Sequence, residues 1–131
     1  GITQYHWEHA ISGLPKSAAG SSILSRDMVK FGQLILNKGK WQGEQLIPEP
    51  YIVRATTPSQ INPHYGFFWW VDDFDVGGKT YHSFQGRGAG GQFIFMFPEL
   101  DLVAVATSHN KGMGDMLKTL PQRIVPAFVQ K

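Results

Sequence analysis

The stretch Gly86-Arg87-Gly88-Ala89-Gly90-Gly91-Gln92 carries the strongest chemical signal in the chain. Glycines let backbone approach another group with no Cβ in the way. After them come an apolar run, Phe93–Phe97, the turn-forming Pro98-Glu99-Leu100-Asp101, and a second apolar run, Leu102–Thr107. That order predicts a buried hairpin beside glycine-rich backbone, a common way to build one wall of a binding cleft. A tight loop that holds no ligand fits the same spacing, and spacing alone does not separate the two.

Other residues invite chemistry less strongly. His6 and His9 stand three apart, as on one helix face, with Glu8 between them. His6-Trp7-Glu8-His9 does not match His-Glu-x-x-His, and no third ligand is near in sequence, so a surface pair is the reading. His82 lies on a predicted strand leading into the glycines. It reads as a half-buried strand histidine, with a cleft-facing position as the alternative. Asp72, Asp73 and Asp75 lack the spacing of a calcium loop and read as a solvated hairpin tip. In Phe67-Phe68-Trp69-Trp70, strand alternation puts Phe67 and Trp69 on one face and Phe68 and Trp70 on the other. Core packing is the default there, and a stacking platform for sugars or bases is the alternative. No metal site and no cofactor is implied.

These residues need elements to hold them. Residues 1–22 read mostly as loop. Ser25 is placed to cap a helix from Arg26 to about Asn37, with Met28, Phe31, Leu34 and Ile35 on one face. Gly39 suits a left-handed C-terminal cap. Trp41-Gln42-Gly43-Glu44 reads as a turn or short hairpin. Pro48 suits the first turn of a second helix reaching about Ala55. The second half is β-rich: strands at Tyr65–Val71, Lys79–Phe84, Phe93–Phe97 and Leu102–Thr107. Met113–Val129 looks helical, with Pro121 and Pro126 expected to break or kink it. The expected architecture is α/β of the α+β type, an antiparallel sheet of about four strands packed by helices. Residues 1–64 would supply loop and helices and residues 65–131 the strands and last helix of one partial domain.

Composition bounds the function. The 131 residues are 42% hydrophobic and 17% charged, which describes a folded chain of about one domain. A net charge of +2 with no basic stripe argues against a nucleic-acid partner. No apolar run is long enough to span a bilayer. The absence of cysteine excludes disulfides and thiolate metal sites.

Three segments together resemble the C-terminal part of the serine β-lactamase and penicillin-binding-protein superfamily, and within it the class C-type β-lactamase-related hydrolases and esterases. They are the helix Ile23-Leu24-Ser25-Arg26-Asp27-Met28-Val29-Lys30-Phe31-Gly32-Gln33-Leu34, the loop from Asn37 to Pro48, and the strands marked by Tyr65-Gly66-Phe67-Phe68-Trp69-Trp70, Gly90-Gly91-Gln92 and Pro98–Val103. The likeness runs in order from about Gly20 to Thr107. It implies ester or amide hydrolysis through an acyl-serine, with a small-molecule or peptide-like substrate in the full-length protein. It also implies a bacterial protein, periplasmic or extracellular.

In that family a Ser-x-x-Lys serine is activated by a neighbouring base, and backbone N–H groups hold the oxyanion. No Tyr-x-Asn occurs in this chain. A Ser-x-x-Lys occurs at Ser108-His109-Asn110-Lys111, where the family has a plain loop, so no catalytic residue is assigned here. The first two family motifs are expected upstream of Gly1, and the chain is expected to be inactive alone. The third motif aligns on Gly86-Arg87-Gly88, with glycine in place of the family's Lys or His. Ala89 is then the candidate oxyanion-hole N–H, and Gly86, Arg87, Gly88, Gly90, Gly91 and Gln92 are the candidate substrate-binding residues. Arg87 offers a guanidinium matched to a substrate carboxylate, or else points to solvent. Missing N-terminal elements would expose apolar surface and favour a homodimer. A non-catalytic ligand-binding or interaction module on the same fold is the alternative function.

Overall fold

Residues 1–17, 19–109 and 113–129 are described by the computed structural model. A first hairpin pairs β1 (Tyr5–Trp7) with β2 (Ser21–Ile23), and helix α1 (Ser25–Leu36) follows. A second hairpin, β3 (Lys40–Trp41) with β4 (Glu44–Gln45), leads to helix α2 (Glu49–Ala55). The main sheet is β5 (Trp70–Val76), β6 (Lys79–Gly88), β7 (Gln92–Phe97) and β8 (Leu102–Ala106), each strand antiparallel to the next. Helix α3 (Met113–Ile124) then runs into a 3₁₀ turn at Val125–Ala127. The architecture is α+β, with a four-stranded antiparallel sheet between helices, as the sequence predicts.

Alternation along the strands divides the core in two. On one face Val76, Tyr81, Phe93, Phe95, Phe97 and Leu102 pack with Val125 and with the apolar side of α3. Phe93, Phe95 and Phe97 stack in a row down β7, with ring centroids 5.3 and 6.3 Å apart. On the other face Met96, Ile94, Phe84 and Val103 meet Ile35 of α1 and Ile52 of α2. Phe93, Phe95, Met96 and Phe97 have no solvent exposure, because both faces of β7 are covered. A strand buried on both sides needs no polar alternation, and this one reads QFIFMF.

Glycine sets how closely α1 lies on the sheet. A Cβ on Gly32 would stand 2.5 Å from Val103 Cγ1 and 3.0 Å from Ile94 Cγ2. Gly39, at φ +84°, ends the helix as expected, its N–H donating to the carbonyl of Leu34. The β3–β4 hairpin turns on Gln42 and Gly43, both left-handed.

Several local expectations give way. Residues 1–22 are mostly loop, as expected, but the segment is tied together: β1 pairs with β2, and beyond the strands Glu8 N–H donates to Gly20 and Lys16 N–H to Glu8. Strands of three residues leave too little alternation to read. His6 lies in β1 and His9 in an isolated bridge to Pro15, so they share no helix face. Ser25 is not a cap; it starts α1, Leu24 holds the cap position, and the Ser25 hydroxyl meets Thr107 Oγ1 at 3.2 Å. Pro48 precedes α2 rather than opening it, and Pro50 sits in its first turn.

The strand placed at Tyr65–Val71 starts only at Trp70. Before it the chain turns, with Gly66 N–H donating to Trp69 and Phe68 left-handed at φ +63°. Asp72, Asp73 and Asp75 are therefore strand residues of β5, and Gly77–Gly78 makes the tip. Pro121 stays inside α3, fully buried, and only at Pro126 has the helix given way to the 3₁₀ turn.

Replacing Gly32 with Ala tests the helix–sheet approach. Elsewhere on a helix that change stabilises by about 1 kcal/mol. Here overpacking against Val103 and Ile94 is expected to dominate and destabilise by about 1–3 kcal/mol. A urea midpoint that rises or stays put would show that α1 does not rest on those two side chains.

Candidate functional site

β6 runs through the first three glycine-cluster residues as strand, pairing Gly86 with Ile94, Arg87 with Phe93 and Gly88 with Gln92. Alternation turns Gly86 and Gly88 toward the α1 side of the sheet and Arg87 toward the α3 side. The α1-side backbone, bare at Gly86 and covered by the Gln92 amide at Gly88, forms one wall of an open trough. Across from it lie Ala19, Gly20 and Ser21 and, from α1, Met28; the trough encloses about 650 Å³. At Gly86 the trough meets a second cavity of about 430 Å³ between α1, α2 and the 65–70 turn.

The wall ends in a tight turn. Gly91 N–H donates to Gly88 C=O at 3.1 Å, and Gly91 is left-handed at φ +86°. A three-residue hairpin loop of this kind wants glycine at its left-handed position. Its own closing bond leaves the N–H of the first loop residue, the exposed Ala89, unused by the turn.

Two side chains hold this turn. The Gln92 amide oxygen accepts from Gly90 N–H at 3.2 Å, and its nitrogen donates to Ser108 C=O at 2.7 Å. The Ser108 hydroxyl donates to Gly91 C=O at 3.1 Å, with Met116 Sδ 3.4 Å away. A Cβ on Gly91 would stand 2.3 Å from that hydroxyl oxygen. Ser108 thus clamps the loop. Of its Ser-x-x-Lys, Asn110 and Lys111 lie outside the described residues.

Arg87 does not point free into solvent; its guanidinium has partners inside the molecule. Its Nη2 pairs with Asp72 Oδ2, and its Nε donates to Gln85 Oε1 at 2.7 Å. The guanidinium also lies over the Trp70 ring, 4.6 Å from the centroid. Asp72 stands on the same face of β5 as Trp70, and its second oxygen meets His64 Nδ1 at 2.6 Å. The pairing answers the charge of Arg87 from inside the molecule. Its physical reason is the length of β6: as strand, it must send Arg87 to the face opposite Gly86 and Gly88.

Trp69 and Trp70 are both half-buried. Trp69 packs on the α1-side core, and Trp70 meets Tyr65 edge-on at 4.8 Å. His82 lies on the α1 side of β6 but away from the trough, with Nδ1 2.7 Å from Asp73 Oδ1 and its ring edge-on to Phe84. Among the described residues no group of three or more His, Asp or Glu is placed to hold a metal. No helix among them is long and apolar enough to cross a membrane.

Sequence reasoning missed Asp72, Gln85, His64 and the clamp at Ser108. Asp72 had a readable signal, the alternation Trp70-Asp72-Phe74 on one face of β5. The clamp had none, since it joins residues sixteen or more apart through a loop.

No protein-family model matches the chain, and no curated protein matches it. Among solved structures it is similar to a candidate 6-aminohexanoate-dimer hydrolase from Bacillus anthracis. The identity is 22% over 94% of this chain, with a TM-score of 0.69. The chain spans about a third of that protein's length, 32%. The likeness shows the fold alone: an antiparallel sheet between helices, shared with part of that protein.

The clamp makes a quantitative prediction. Gly91→Ala costs about 1–2 kcal/mol for the left-handed backbone and adds the collision with Ser108 Oγ. Ser108→Ala alone loses about 1 kcal/mol of hydrogen bonding. Because the new Cβ meets that same oxygen, the double variant is expected to be more stable than the two losses summed. Strict additivity in chemical denaturation would place Ser108 elsewhere.

Proposed function

We propose that this chain is the C-terminal portion of a β-lactamase-like serine hydrolase and supplies one wall of its cleft. What supports the reading is the strand backbone left bare at Gly86, set in a fold similar over 94% of the chain to a candidate 6-aminohexanoate-dimer hydrolase. The reaction is acyl transfer from an ester or amide to a serine hydroxyl, followed by hydrolysis of the acyl-serine. The serine and its base belong to the remainder of the longer protein. This chain's share is positional and electrostatic.

In this reading the substrate carbonyl lies along the Gly86–Gly88 edge. As the nucleophile attacks, negative charge gathers on the carbonyl oxygen. The Ala89 N–H, which the turn does not use, donates to that oxygen. A preorganised donor of this kind is worth about 10²–10³ in kcat. Gln92 and Ser108 are positioning residues that hold the turn and so aim the N–H. Arg87 positions too, by fixing the strand end to β5 through Asp72. Gly90 and Gly91 let the turn close beside the bound group. The same reading keeps a homodimer in view, through exposed apolar side chains such as Ile61, Leu14 and Leu46.

Two assays test it. The purified chain alone is expected to show no saturable hydrolysis of p-nitrophenyl esters, with or without Ser108→Ala. Turnover by the chain that disappears in Ser108→Ala would overturn the assignment of Ser108 as a clamp and the proposed inactivity together. In the longer protein, Ala89→Pro removes the N–H while suiting the first position of the turn. It is expected to lower kcat about 10²–10³-fold with KM little changed. An unchanged kcat would move the oxyanion donor off Ala89.

A further inference from the structure

The cavity that opens from the trough at Gly86 has a composition of its own. Its walls carry Trp7, Phe31, Tyr51, Phe67 and Trp69, with aliphatic groups from α1 and α2 at its floor. Arg87 alone among its described lining residues carries charge, and that charge is already answered by Asp72. At about 430 Å³ it falls within the size range of small-molecule pockets. Tyr51 and Phe67 stay 53% and 41% exposed at its mouth, so apolar surface there is uncovered.

We infer that this chamber binds an uncharged apolar group bearing an aromatic ring, and that it selects against anions. The argument is electrostatic. A carboxylate or sulfonate entering it would lose water and meet no unpaired cation among the described lining residues, since Arg54 lies outside that lining, over the Phe67 ring. A neutral ring loses only apolar hydration and gains edge and face contacts with the wall aromatics. The inference rests on the cleft-wall reading for its biological sense: the ring is the apolar part of the ester or amide, held beside the Gly86 edge. Binding itself does not depend on hydrolysis.

Gly86 marks the doorway. Its φ is ordinary, and a Cβ there would sit 3.5 Å from Trp69 Cζ3 and 3.7 Å from Ile94, so a side chain fits without strain. A valine would project into the passage between trough and chamber.

Two probes with one skeleton decide the matter. N-phenyl-1-naphthylamine is neutral, and 1-anilinonaphthalene-8-sulfonate adds a fixed negative charge. Titrated into the 131-residue chain, the neutral probe is expected to saturate at one site, quench tryptophan emission and bind on the order of tenfold tighter than the sulfonate. Gly86→Val is expected to weaken it roughly fivefold or more, with near-ultraviolet circular dichroism unchanged. Should Gly86→Val disturb the fold, Tyr51→Ala removes an exposed wall ring and is expected to weaken the neutral probe as well. Equal or tighter binding of the sulfonate would overturn the inference, as would neutral binding indifferent to both variants. Neutral-probe binding in a longer protein that hydrolyses no ester or amide would sink the hydrolase reading and leave the chamber standing. Hydrolysis without that preference would do the reverse.

Discussion

The Asp72 carboxylate has two oxygens, and each holds a different part of the molecule. One takes Arg87 from the end of β6, and the other takes His64 from the loop that precedes β5. With side chains only 23% and 11% exposed, Asp72 and Arg87 are largely out of water. A half-buried ion pair of this sort adds little net stability over an apolar pair, yet breaking it by removing one partner costs about 3–5 kcal/mol. Its value here is geometric. It fixes where β6 ends relative to the 65–70 turn, and it lays the guanidinium over Trp70. The open trough and the aromatic chamber are both bounded by those segments.

A second constraint is steric, and glycines on this sheet meet it in two ways. At Gly66 a Cβ would collide with the Ala55 carbonyl oxygen at 2.1 Å, and at Gly32 with Val103. Those glycines let layers close. Gly86 has ordinary space around it, so its missing side chain leaves room for something else. Gly88 and Gly90 sit against the Gln92 amide, which fills the space their side chains would need. One glycine-rich sequence therefore mixes packing glycines with wall glycines, and only the neighbours tell them apart.

Much of the fold was legible because its signals are local. The helical face of Met28, Phe31, Leu34 and Ile35, the Gly39 stop and the paired apolar runs around Pro98–Asp101 all lie within a few turns or strands. The fold likeness to a candidate hydrolase agrees with the resemblance read from the helix and the C-terminal strands. What escaped depends on distance. The aromatic Tyr65–Trp70 looks β-prone, yet Gly66 must pass the Ala55 carbonyl, and the chain turns there instead. Asp73 and Asp75 are exposed, as the solvated reading has it, but Asp72 is half-buried because its partners, His64 and Arg87, come from other segments. The glycine cluster was readable as a wall, but the clamp that shapes it needs Ser108 from beyond β8.

The order of strands in the sheet has a kinetic consequence. Each strand pairs with its successor, β5 to β6 to β7 to β8, with no crossover. Every pairing then closes a short loop, which is the least entropic loss a four-stranded sheet can incur. Low contact order of this kind favours fast formation. The covering helix α1 is different, since its contacts with β8 join residues at opposite ends of the chain's middle. The meander is thus placed to assemble first and to wait, with the α1 face of β7 and β8 uncovered, for the helix that closes it. Mutational rate analysis would read this as early contacts in β6–β7 and late ones at Gly32; early contacts at Gly32 would reverse the order.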